Sequence, residues 1–382
     1  MIKKIIIAPD SFKGSLTALE VVETIRNSLN KYCKPLPYIV KLPMSDGGEG
    51  FLDCIRTVSM GYDNKTLLIK VDGADNEPLT SELYKTIQDE YFIESAKVVG
   101  YNLEYSTQLD PLTSTTKGIG QLLKYVLQKD PFTINIGVGG TITNDCGIGL
   151  ASELGYVFLD KNGKTLEPIA KNLIKVDKIE FNEEFEIPQK RVVKAICDVD
   201  NVLFGEEGAT QVFGKQKGVT ESNQSLLEDG IINFADKINE CLDVDLTKVK
   251  GGGAGGGLGA ALVAFCNAEI VSGVEFILDF VSFDKLLKTC DLIITGEGRM
   301  DSQTSYGKVP YGIAQRVQNS RIYNDAKVVA IVGENKVDEA TYKEWGISEV
   351  VQLVDGKNVT LEDSMENASE LIFEATKSFF VN

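Results

Sequence analysis

The chain has 382 residues, long enough for two domains that each bury a core. Its 43% hydrophobic and 25% charged content is that of a soluble globular protein. Lys and Arg number 39 against 56 Asp and Glu, and the resulting net charge of −17 disfavours nucleic acid and anionic lipid as partners. The sequence contains no histidine, which excludes a His general base, a Ser-His-Asp triad and imidazole metal ligation.

The N-terminal "MIKKIIIAPD" predicts a first strand over Lys3–Ala8, since the apolar run is too short for a secretion signal and ends at Pro9-Asp10. After "PDSFKGS" a helix is expected from about Thr17. Ala18, Val21, Val22, Ile25 and Leu29 share one of its faces, and Thr17 with Glu20 has the spacing of a capping box. Tyr38–Leu42 reads as a second strand. The loop "PMSDGGEG" then leads into a helix starting near Gly48, with Asp46 and Glu49 spaced as its cap. This βαβα opening favours a parallel sheet.

From about residue 70 to 95 the pattern changes to paired strands. Thr133–Val138 and Val192–Cys197 are further strands, "GYVFLDKNGKTLEPI" is a hairpin turning at Asn162-Gly163, and Glu221–Cys241 is a long helix. Strands alternating with helices return in Leu292–Thr295, Lys327–Val332 and Glu349–Leu353, with helical patterns near Lys308–Val317 and Leu361–Phe379. We therefore expect two α/β domains. A Rossmann-like parallel-sheet domain is built from both chain ends, 1–72 and 285–382, and a mixed-sheet domain, 73–284, is inserted between them. No apolar stretch is long enough to cross a bilayer, and the seven cysteines form no C-x-x-C pair, so a reduced, cytoplasmic protein is expected. Self-association into a homo-oligomer is left open.

Seven of the nine residues from Gly251 to Gly259 are glycine, and the run passes directly into an apolar helix. Such a run is a linker, a packing site, or a cradle whose amides meet a phosphate at a helix N-terminus. Gly251, Gly253 and Gly256 formally fit a dinucleotide-binding pattern, but "LTKVK" before them makes a poor strand, so an oxidoreductase is the weaker alternative. No G-x-x-x-x-G-K-[ST] motif occurs.

Five other loops follow predicted strands: "APDSFKGS", "PMSDGGEG", "GVGGTITND", "CDVDN" and "TGEGRMDSQTSYGK". Ligands of open parallel sheets sit beyond the carboxyl ends of the strands. Lys13, Arg299 and Lys308 supply cations there. Asp10, Asp46, Glu49, Asp145, Asp198, Asp200, Glu297 and Asp301 supply carboxylates. Amides, cations and carboxylates are the parts phosphoryl transfer requires. Taken one by one, each loop is equally a turn or a helix cap.

Seven motifs in order, "APDSFKGSLTA", "PMSDGGEG", "GVGGTITND", "CDVDNVLFGEEGA", "FGKQKG", "GGGAGGGLGAAL" and "ITGEGRMDSQTSYGKVPYGIA", make the chain resemble the bacterial class one glycerate kinases along essentially its whole length. Cys146 stands where that family usually has glycine. Val202 and Lys215 replace prolines, and Gly251, Gly253 and Gly257 replace alanine or other small residues.

The resemblance implies ATP- and Mg²⁺-dependent phosphorylation of D-glycerate in a cleft between the two domains, giving 2-phosphoglycerate. A 3-kinase or a kinase of a related small hydroxy acid is the alternative. By motif, Lys13, Asp198 and Arg299 are the expected catalytic residues, with Asp198, or Asp200 as the alternative, orienting the hydroxyl. Asp10, Ser11, Ser15, Asp46, Gly47, Gly48, Asp301 and Lys308 are expected at the substrate. Gly139, Gly140, Thr141, Asn144, Asp145, Gly253, Gly255, Gly256 and Gly257 are expected at the nucleotide, and Asp200 and Glu297 at the metal.

Overall fold

The computed structural model describes residues 2–59, 63–101, 103, 109–182, 191–320, 326–354 and 359–380. Its strands in chain order are β1 Lys4–Pro9, β2 Tyr38–Lys41, β3 Lys65–Asp72, β4 Pro78–Lys85, β5 Glu90–Glu94, β6 Thr133–Gly137, β7 Tyr156–Leu159, β8 Lys178–Phe181, β9 Val192–Ile196, β10 Glu269–Val271, β11 Leu292–Met300, β12 Lys327–Asn335 and β13 Glu349–Gln352. The chain divides into two units, one holding Met1–Asp46, Gly50–Met60 and Ser272–Asn382, the other Gly47–Glu49 and Gly61–Val271.

The first unit is organised by a five-stranded sheet in the order β13-β12-β11-β1-β2, with every pairing parallel. β1 is an interior strand, flanked by β11 and β2, and is buried from Ile5 to Pro9, as an unbroken apolar run in a parallel sheet should be. The helix Ala18–Tyr32 follows it, with the Thr17–Glu20 capping box in place and Val21, Val22, Ile25 and Leu29 turned into the core. From β1 the chain passes to β2 on one side, and the C-terminal segment extends the sheet on the other. The strand order therefore reverses between β1 and β11. In open α/β sheets such a switch point marks the ligand crevice.

The second unit has a six-stranded mixed sheet, β10-β9-β6-β5-β4-β3. β3, β4 and β5 pair antiparallel, while β5, β6, β9 and β10 pair parallel. Its core includes Phe158, Phe234 and Phe265, whose rings meet edge-on or tilted at 5.5–6.5 Å. The Asn162-Gly163 turn is present, with Gly163 at φ 75°, but β7 finds its main partner in β8 rather than in the residues just after the turn.

The units divide at 60/61 and 271/272, not near 72 and 285. β3 pairs along its whole length with β4, which draws 65–72 into the mixed sheet. Gly273–Phe280 packs on the helix Val309–Gln318, and its Phe276 ring lies 6.2 Å from Phe51, which draws 273–285 into the first unit.

Candidate active site

In the first unit the loops after β1 and β11 bring charged groups together at the switch point. Asp10 follows β1, and its Oδ1 accepts the Ser11 amide at 2.7 Å. Burial, then the facing charge of Asp46, push its carboxyl up to about 8. Lys13 Nζ lies 3.2 Å from Asp46 Oδ2, and that carboxylate holds the lysine above its ordinary range. The helix expected to start near Gly48 begins instead at Phe51, and its N-cap position is taken by Gly50 at φ 83° rather than by Asp46.

On β11, Glu297 is buried and pushed up to about 7 by that burial, although Thr304 Oγ1 donates to it at 2.7 Å. Lys308 Nζ stands 3.8 Å from both Glu297 and Asp301. Arg299 lies 3.5 Å from Asp301 and 3.6 Å from Glu334. Asp301 also caps the short helix Ser302–Tyr306 through the Gln303 amide. Ser15 donates its hydroxyl proton to the Met365 carbonyl at 2.7 Å, so that proton is already committed. Of the sequence-derived residues, Asp10, Ser11, Lys13, Asp46, Glu297, Arg299, Asp301 and Lys308 are thus gathered in one unit. Thr304 and Glu334, which orient two of them, carry no sequence signal that marks them.

The second unit presents the loops after β6 and β9. Gly139 and Gly140 form the accessible edge of the first, with Gly140 at φ 63° and Ser95 Oγ donating to the Gly139 carbonyl at 3.2 Å. Gly47 and Gly48 belong to the same unit, where a side chain on Gly139 would collide with Gly48 Cα at 2.7 Å. Deeper in the loop, Asp145 is fully buried and accepts four hydrogen bonds, from the amide and hydroxyl of Thr116 and the amides of Gly147 and Gly149. Those bonds occupy its oxygens within the fold. Asn144 Nδ2 donates to Thr210 Oγ1 at 3.1 Å, and Lys217 Nζ donates to Thr141 Oγ1 and to the Thr143 carbonyl.

The glycine run packs behind this loop. Gly255, Gly256 and Gly257 all have positive φ, and the Cys146 amide donates to the Gly256 carbonyl at 3.0 Å. Gly253, Gly256 and Gly257 are buried against the backbone of 143–146 and 201–202, while Gly255 is half-buried. Asp198 is half-buried at the end of β9. Asp200 is exposed and lies 3.4 Å from Lys250.

The sequence profile of the glycerate kinase family matches residues 5–381. The chain belongs to the glycerate kinase family. A glycerate kinase from Bacillus cereus is 36% identical over 377 residues, covering 98% of this chain and 96% of the relative. A glycerate 2-kinase from Escherichia coli is 33% identical over 376 residues, with 98% and 96% covered. The crystal structure of a protein assigned as glycerate kinase 2 from Salmonella typhimurium LT2 superposes with a TM-score of 0.80 at 33% identity, covering 99% of this chain and 97% of that one. As a glycerate kinase, the protein is an enzyme that phosphorylates glycerate, and its α/β fold is that of its relatives. Among the described residues no helix is long and apolar enough to cross a membrane.

Proposed function

We propose that this glycerate kinase transfers the γ-phosphoryl group of ATP to the 2-hydroxyl of D-glycerate, with Mg²⁺ accompanying the nucleotide. One observation carries the reading: Lys13, Arg299 and Lys308 stand among buried and half-buried carboxylates at the carboxyl ends of β1 and β11. Three cations on a histidine-free surface suit an anionic substrate and the charge that develops on a transferring phosphoryl group. The name of the Escherichia coli relative, glycerate 2-kinase, supports the 2-hydroxyl.

In this reading Lys13 and Arg299 neutralise the glycerate carboxylate or the moving phosphoryl group, and Lys308 assists. Asp10, Ser11, Asp46 and Asp301 shape the substrate's surroundings. Asp198 orients the hydroxyl. The amides of Gly139 and Gly140 take nucleotide phosphates, with Thr141, Asn144 and Asp145 holding their loop and Gly253–Gly257 backing it. The hard oxygens of Asp10, Asp46 and Glu297 fit Mg²⁺, which needs only one or two carboxylates and keeps water and phosphate as its other ligands. Asp200 is a further candidate, in the second unit. Among the described residues no three His, Cys, Asp or Glu side chains are placed to hold a metal by themselves, so the phosphates would complete the coordination. Bound Mg²⁺ would neutralise phosphate oxygens.

The transition state of phosphoryl transfer is loose, so orienting the hydroxyl matters more than removing its proton. Asp198→Asn is therefore expected to lower turnover by about 10²-fold while Mg-ADP binding is retained. Loss of nucleotide binding alone would instead make Asp198 a nucleotide or metal contact. The decisive experiment mixes the protein with D-glycerate and Mg-ATP, follows ADP release, and reads the product by phosphorus NMR. A 2-phosphate signal is expected. A pure 3-phosphate product would reverse the regiochemistry, and no glycerate-dependent ADP release would end the reading.

A further inference from the structure

Lys217 is 4% exposed, in a short helical turn that Gly218 closes at φ 84°. A lysine that deep costs desolvation unless it does something in return. Its amine donates to the Thr143 carbonyl at 2.8 Å and to Thr141 Oγ1 at 3.2 Å, both inside the loop after β6. Asp145 is its charged neighbour but accepts its four hydrogen bonds elsewhere, so the lysine is not there to be that carboxylate's hydrogen-bond partner.

We propose that Lys217 is a positioning residue for nucleotide binding, fixing from inside the second unit the peptide plane and side chains of the Gly139–Asn144 loop. The inference rests on the reading above that this loop takes the phosphates. In a trans peptide the carbonyl and the following amide point in opposite directions. The bond from Lys217 to the Thr143 carbonyl therefore sets where the Asn144 amide points. The bond to Thr141 Oγ1 occupies one acceptor site and turns that hydroxyl's own proton away from the amine. Gly256 backs the same peptide so closely that a Cβ there would lie 2.1 Å from the Thr143 oxygen.

A second observation separates this from ordinary core packing. Thr143 Oγ1 and Asn144 Oδ1 are fully buried and find no hydrogen-bond partner among the described residues. A loop folded only for stability would satisfy these atoms or replace them with apolar groups. This one holds unsatisfied polar atoms beside an amine that restrains the loop. Burial draws the lysine down to about 7, against the opposing pull of Asp145, so the amine sits where it is weakly solvated.

The test uses the full chain, with Lys217→Met keeping length and apolar bulk, and Thr141→Val keeping shape while removing the acceptor. Calorimetry with Mg-ADP and steady-state kinetics are measured on each. Lys217→Met is expected to raise the Kd for Mg-ADP and the KM for ATP by about tenfold, the cost of a lost charge-assisted hydrogen bond, while the KM for D-glycerate changes less than about twofold. Thr141→Val should move the same quantities by a smaller factor. A merely structural lysine would lower the melting temperature and leave the KM for ATP of the folded protein unchanged. Folded variants that bind Mg-ADP like wild type, or that raise the KM for glycerate instead, overturn the inference. If Lys217→Met does not fold, Thr141→Val decides by the same criterion. Wild-type protein that fails to bind Mg-ADP overturns the loop's phosphate role as well, whereas wild-type binding with unaffected variants overturns this inference alone.

Discussion

Lys13 holds its proton because Asp46 faces it, yet its side chain is 78% exposed, so the pair adds little to stability. Arg299 is similar, 61% exposed and shared between Asp301 and Glu334. Lys13→Ala or Arg299→Ala is therefore expected to lower kcat/KM for D-glycerate by roughly 10²-fold while leaving the thermal midpoint nearly unchanged. Wild-type kinetics in both variants would make these solvated loop cations. Asp10 behaves in the opposite way. Its carboxyl is pushed from 3.8 up to about 8, so the folded state binds a proton that the unfolded chain releases. The stability that this proton brings is complete below 3.8 and is lost as the pH rises through about 8. Asp10→Asn keeps an acceptor for the Ser11 amide and removes the titration. Urea unfolding at about pH 5 and about pH 8 should show a smaller difference for the variant than for wild type, with the variant the more stable at the higher pH. Parallel pH slopes would return Asp10 to the ordinary carboxylate range.

At the scale of elements, the glycine run shows what the sequence could and could not reveal. Its composition allows a linker, a packing site or a phosphate cradle, and only the residues opposite distinguish them. Gly256 has φ 70°, and a Cβ there would sit 2.1 Å from the Thr143 oxygen and 2.8 Å from Asn144 Cα. Gly163 has nearly the same φ, 75°, with nothing within 4 Å. Gly163→Ala should cost about 1 kcal/mol, the strain of a left-handed non-glycine residue. Gly256→Ala adds a collision with backbone that cannot move aside, and about 3 kcal/mol or more is expected, measured by urea unfolding. Equal costs would mean that the 143–146 backbone yields. β1 and the Ala18–Tyr32 helix were legible because burial on both faces and a 3.6-residue stripe leave a pattern in the residues themselves. The loops at the strand ends were legible from composition. Lys217 was not, since beside Lys215 in "FGKQKG" it reads as one more solvated cation, and only the fold buries it. Asp46 and Glu49 had the spacing of a cap, but Gly50 takes that position in a left-handed conformation that the spacing does not encode.

For the whole molecule, the governing fact is that the first unit's sheet is spliced from both ends of the chain. β1 pairs with β11 from Ile5↔Leu292 to Pro9↔Gly296, so a strand buried from Ile5 onward has a neighbour nearly 290 residues away. A fragment ending at residue 60 keeps only β1 and β2 of the five strands. It would leave Ile5, Ile6 and Ile7 without the β11 side of their sheet, and a two-stranded remnant with that much uncovered apolar surface is not stable alone. The second unit is different, because from Gly61 to Val271 it is continuous, carries all six strands of its sheet and has its own aromatic core. We therefore expect residues 61–271 expressed alone to unfold cooperatively in urea, and residues 1–60 alone to give no cooperative transition. Adding a fragment of residues 272–382 to 1–60 should restore one, since together they hold every strand of the parallel sheet. A cooperative transition in 1–60 by itself would mean that the N-terminal βαβα segment is a folding unit in its own right, and that the splice through β11 is dispensable to it.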